Sequence, residues 1–150
     1  MRELERFMRV LGIDYGDRHI GLALSDALKL TAQPFGTYEL KASESENRKF
    51  FQDLVVRFDV DEIVIGFPLR MDGTQGTRTQ ITKEFADWLE KAVRKPIIFW
   101  DERLTTQQAL HLIEDLKVRG KKKKECEDQI SAAIILSTYL ERKRGDSDAP

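Results

Sequence analysis

Apolar residues along the chain change their spacing several times, and each change marks an element. The segment from Arg9 to Asp14 reads as a strand ending in an acid, and Tyr15, Gly16, Asp17 and Arg18 have the composition of a turn. His19 to Leu24 resumes strand patterning, which predicts a hairpin, with a third antiparallel strand around Pro34 to Leu40. From Ser43 to Phe58 the spacing becomes helical: Phe50, Leu54 and Phe58 recur every four residues, and Ser43 with Glu46 forms a candidate capping box. Glu62 to Gly66 is a short apolar run suited to a buried parallel strand. A loop from Phe67 to Arg78 leads into a helix in which Ile81, Phe85, Trp88, Leu89 and Ala92 share one face.

Pro96 to Trp100 reads as another buried strand, again followed by acids, Asp101 and Glu102. Thr105 and Gln108 resemble a capping box for a helix presenting Ala109, Leu112, Ile113 and Leu116, closed by Gly120. A last helix is predicted from about Asp128 to Lys143, apolar over much of its circumference and therefore well buried, with a loose tail after it. Three antiparallel strands followed by alternating helices and strands predict an α/β fold with a mixed sheet and helices on both faces.

Composition narrows the class. The 150 residues suit one domain, with a core over about 8–143 and a loose stretch at 144–150, and 41% hydrophobic residues exclude a disordered chain. No apolar stretch is long enough to span a bilayer, the N-terminus lacks a secretory h-region, and Cys126 has no partner for a disulfide. These features predict a cytoplasmic protein. A net charge of -1 says little about nucleic acid, because 25 basic and 26 acidic residues nearly cancel. Local runs say more: Lys121 to Lys124 and the cluster Arg142, Lys143 and Arg144 are either solvated segments or phosphate contacts.

The acids carry the candidate chemistry. Asp14 and the Asp101–Glu102 pair follow strands at their carboxyl ends, where ligands bind in open α/β sheets. Asp128 is predicted to open the last helix on the face of Ala132, Ile135 and Tyr139, pointing toward the sheet. Singly, Asp14 fits a turn residue, Asp128 an N-cap and Asp101 a partner for Arg103. Jointly, they come from separate elements that converge at one sheet edge. Converging carboxylates repel unless a cation neutralises them, and an all-oxygen site suits Mg²⁺ or Mn²⁺. Two such ions ~4 Å apart would clamp both reacting oxygens of a phosphodiester. His19 and His111 lie far apart in sequence, which argues against zinc. The loop from Gly66 to Thr79 adds approachable backbone at Gly73 and Gly76, charge from Arg70 and Arg78, and a helix start suited to phosphate.

Four segments taken together, GIDYGDRHIGLALSD (12–26), GFPLRMDGTQG (66–76), WDERLTT (100–106) and DQISAAIIL (128–136), resemble the YqgF/RuvX family in order and spacing. That family comprises nucleases of pre-16S ribosomal RNA and proteins similar to Holliday junction resolvases. The resemblance covers about Val10 to Leu140 and leaves out Met1 to Arg6 and the tail after Arg144. It implies a ribonuclease-H-like fold, and a bacterial cytoplasmic metal-dependent nuclease acting in maturation of the 16S rRNA 5′ end. The implied metal-binding acids are Asp14, Asp128 and one of the Asp101–Glu102 pair, with Glu102 favoured because strand alternation turns only one of the two to the site. Arg70, Arg78, Arg103, Thr105, Lys122 and Lys123 are the phosphate-contact candidates. The implied partner is precursor rRNA, with ribosomal particles beside it and the chain as monomer or homodimer. Alternatives are a resolvase of branched DNA, which requires a two-fold dimer, and a non-catalytic RNA- or ribosome-associated factor. An actin-like or sugar-kinase ATPase shares the first strand motif but needs a much longer chain.

Overall fold

The computed structural model describes residues 8–16, 18–68, 76–103, 107–118 and 123–148, without the side chains at 107–109, 116–118, 123–126 and 146–148. Arg70, Thr105, Lys122, Gly73 and Gly120 lie outside the described residues, and so does the side chain of Lys123. The elements in chain order are β1 (Arg9–Tyr15), β2 (His19–Ser25), β3 (Ala32–Glu39), α1 (Glu44–Arg57), β4 (Val60–Phe67), α2 (Thr77–Val93), β5 (Ile97–Asp101), α3 (Gln107–Val118) and α4 (Lys123–Asp148).

The strands form one sheet in the order β3-β2-β1-β4-β5. β1 pairs antiparallel with β2, and β2 with β3; β1 with β4, and β4 with β5, are parallel. The predicted mixed sheet is therefore present. Alternation in β1 sends Leu11 and Ile13 to one face, where they meet Phe51, Leu54 and Val55 of α1 and Phe85 and Leu89 of α2. Val10 points the other way, into a second core with Val64 and with Ala132, Ala133 and Leu136 of α4. Helices thus cover both faces, and each core excludes water from a row of aliphatic side chains.

The ends of α1 follow the predicted chemistry: Ser43 is the N-cap, and its hydroxyl accepts the Glu46 N–H at 3.4 Å. Other elements depart from expectation. The buried face of α2 is Thr79, Thr82, Phe85, Ala86 and Leu89, whereas Ile81 is 39% exposed. β5 is an edge strand rather than a buried one, with Phe99 outward, because an apolar run alone does not tell a central strand from an edge. α4 begins at Lys123 rather than Asp128 and continues to Asp148, through the stretch expected to be loose. Residues 123–127 are Lys, Glu and Cys, good helix formers for the most part but without apolar periodicity to reveal them.

Candidate active site

Strand alternation selects the side chains that meet at the carboxyl edge of the sheet. Val10 packs toward α4, so Asp14, four residues on, carries the same phase at the end of β1. Ile98 and Trp100 of β5 also pack on the α4 side, and Glu102 in the following turn continues that phase. Asp101 takes the opposite one. Its carboxylate accepts from Arg103 Nη2 at 2.8 Å, Nε at 3.0 Å and backbone N–H at 2.9 Å. These contacts hold the Asp101 pKa below the ordinary carboxylate range. Asp101 and Arg103 are thus engaged with each other.

Two glycines set how closely α4 approaches. Asp14 pairs across the ladder with Gly21, where an added Cβ would collide with the Asp128 backbone carbonyl. A Cβ on Gly66 would lie 2.7 Å from Glu102 Oε1 and 2.5 Å from Ile135 Cδ1. The absent side chains are the space that the Asp128 backbone and the Glu102 carboxyl occupy. Asp128 therefore lies against the sheet as expected, but from inside α4 rather than as its N-cap.

The result is a cavity of about 370 Å³ lined by Asp14, Arg78, Glu102, Ser131, Ile134 and Ile135. Burial raises the Asp14 pKa, the Asp128 charge raises it further, and Arg78 and hydrogen bonds with Glu102 and Ser131 oppose the rise. Glu102 is pushed up to about 6, first by burial and then by the charge of Asp14, against the pull of Arg78. The hydrogen bond between the two carboxyl groups favours charged Asp14 and neutral Glu102. Arg78 is brought to the acids by α2, whose first turn is pinned: the Gly76 N–H donates to Thr79 Oγ1 at 3.3 Å, and that hydroxyl donates to the Pro68 carbonyl at 2.9 Å.

Sequence reasoning missed Ser131. Its signal was present, since Ser131 lies one helical turn beyond Asp128 and so shares its face. Among the described residues no group of three His, Cys, Asp or Glu side chains stands close enough to hold a metal ion as it is arranged. The donor chemistry nonetheless fits a hard divalent cation. Asp14 and Glu102 are neighbouring carboxyl groups of which Glu102 keeps its proton up to about pH 6, and Asp128 adds a further negative charge in range. A divalent cation in place of that proton would relieve the same repulsion.

A five-stranded mixed sheet in this order, with acids at the ends of β1 and β5 and a helix crossing them, defines the ribonuclease-H-like class. Residues 8–142 match the family described as RuvX: Holliday junction resolvase, and the chain belongs to that family. A relative from Acetivibrio thermocellus is 43% identical over 137 residues, covering 91% of this chain and 97% of its own length. Another from Halothermothrix orenii is 41% identical over 133 residues, covering 89% and 94%. Both carry the name "Putative pre-16S rRNA nuclease". Among solved structures, RuvC of T. thermophilus in complex with a Holliday junction substrate superimposes with a TM-score of 0.57 at 21% identity, covering 92% of this chain and 96% of that one. The family is one of phosphodiester hydrolases. Among the described residues no helix is long and apolar enough to cross a membrane.

Proposed function

We propose that this protein is a divalent-metal-dependent nuclease that hydrolyses phosphodiester bonds in the 5′ region of precursor 16S rRNA in the cytoplasm. The observation that carries this reading is the convergence of Asp14 and Glu102 in one cavity, hydrogen-bonded to each other, with Asp128 within electrostatic range and Arg78 beside them. Asp14, Glu102 and Asp128 would hold Mg²⁺ or Mn²⁺. When bound, the ion neutralises the acids, lowers the pKa of water and polarises a phosphoryl oxygen.

The chain's own groups supply the rest. Arg78, in the first turn of α2, offers its guanidinium and the helix N-terminus to a phosphate. Ser131 holds Asp14 through its hydroxyl, while Ile134 and Ile135 keep one wall of the cavity dry. Arg103 holds Asp101 away from the cavity and is proposed to meet a phosphate at its edge. Arg70, Thr105, Lys122 and Lys123 are proposed as further contacts along the RNA backbone.

The names carried by the relatives support the RNA substrate, and the description of the family favours a second reading, cleavage of a four-way DNA junction. Incubating the protein with Mn²⁺ and either a 16S precursor leader or a synthetic junction separates the two. Preferential cut of the leader, lost in Asp14→Asn, supports the RNA reading. Paired symmetric cuts in the junction by a two-fold dimer would replace it.

A further inference from the structure

Away from the acids, α1 and α2 enclose a groove of about 720 Å³ that the nuclease site does not use. Its floor is apolar, from the buried Val55 of α1 and the half-buried Trp88 of α2, with the exposed Val56 at its lip. Its rim is cationic: Arg48 on one side, and Lys91, Arg94 and Lys95 on the other. Glu44 is the acid in this lining, and it is already engaged, accepting from Trp88 Nε1 at 2.9 Å and from Arg48. Among the described residues Lys91, Arg94 and Lys95 take part in no ion pair. Arg94 also occupies a left-handed backbone position (φ 56°), one that glycine fills at least cost. A chain of net charge -1 thus concentrates three uncompensated cations beside an aromatic floor.

We propose that this groove binds a single-stranded nucleic-acid arm of the substrate, remote from the bond that is cut. The inference rests on the nuclease reading above and specifies where the strand runs. Sixteen residues of α2 separate Arg78 at the acids from Arg94 at the groove, a rise of about 24 Å. At ~3.4 Å per stacked nucleotide this is about seven nucleotides, so only a substrate longer than that reaches both ends. Cations that track phosphates beside an apolar and aromatic floor are the arrangement by which single strands are held without sequence readout.

The test is the triple substitution K91Q/R94Q/K95Q, made in the full chain together with Asp14→Asn so that the probe survives. Fluorescence anisotropy would follow binding of oligouridylates of about 4 and about 20 nucleotides across a salt series, with thermal melting to show that the fold is intact. Neutralising three phosphate contacts lowers the slope of log K against log salt by about 2 for a single strand. The expected result is that slope change and a roughly tenfold weaker affinity for the long probe, with the short probe unaffected. An unchanged slope, an equal loss for both probes, or equal displacement of the long probe by polyglutamate overturns the groove. If the Asp14→Asn protein with its groove intact does not bind the long probe, the groove is overturned, while the nuclease reading is judged separately by Mn²⁺-dependent cleavage of the 16S precursor leader. If that reading alone is wrong and the fold is a non-catalytic RNA binder, the slope change persists while the Asp14-intact protein leaves the 16S precursor leader uncut in Mn²⁺.

Discussion

Burial raises the pKa of both Asp14 and Glu102, and this makes their titration testable. Glu102 has its pKa raised from 4.5 to about 6, so the folded protein binds more protons than the unfolded chain between those values. Its contribution to stability is therefore largest below about pH 4.5 and is lost as pH rises through about 6. Comparing urea unfolding of the metal-free protein with that of Glu102→Gln should show the wild-type advantage shrinking across that window and flat above it. Cation binding requires the same proton to leave, so Mn²⁺-dependent cleavage should rise with pH through about 6. Asp14→Asn or Glu102→Gln should lower the cleavage rate by more than ~100-fold, and Ser131→Ala, which only loosens Asp14, by ~10-fold. Asp101→Asn should cost about threefold or less, because its carboxylate faces Arg103 and not the cavity.

At the scale of elements, the approach of α4 to the sheet is the feature on which the site depends. At Gly21 an added methyl meets backbone, which no rotamer change relieves. Gly21→Ala should therefore destabilise the fold by about 2–3 kcal/mol, measured by denaturant unfolding. At Gly66 the added methyl meets the ends of two side chains, Glu102 and Ile135, which can turn aside. Gly66→Ala should cost less stability than Gly21→Ala yet reduce cleavage by ~10-fold or more, because the group that moves is the acid. The strand edge of the site was legible in the sequence, since an acid after an apolar run announces a strand end and alternation chooses Glu102 over Asp101. The start of α4 was not, because Lys123, Glu125 and Glu127 show no apolar period, so the helix is expected to open at Asp128 instead of five residues earlier. The edge position of β5 was equally hidden in the run of Ile97, Ile98 and Phe99.

For the whole molecule, motif order conveyed the architecture, because the motifs include the carboxyl ends of β1, β4 and β5 and the part of α4 that crosses them. Features made by distant pieces of chain were invisible. Arg48 and Lys91 lie on different helices, so the cationic groove between α1 and α2 has no signature in sequence. A bound cation should be felt globally: at a hundredfold excess over Kd, Mn²⁺ adds about 2.7 kcal/mol, a Tm increase of roughly 5–10 °C for a chain this size. The increase should be larger at pH 7.5 than at pH 5, where Glu102 holds its proton, and absent in Asp14→Asn.

Asp14, Glu102 and Asp128 are proposed to form one cation site at the carboxyl edge of the sheet. Anomalous X-ray diffraction from crystals soaked in Mn²⁺ tests it most directly. A manganese peak is expected within ~2.5 Å of carboxylate oxygens of Asp14 and Glu102, on the side of Asp128. A peak at Asp101 instead, or none at these acids in saturating Mn²⁺, would contradict it.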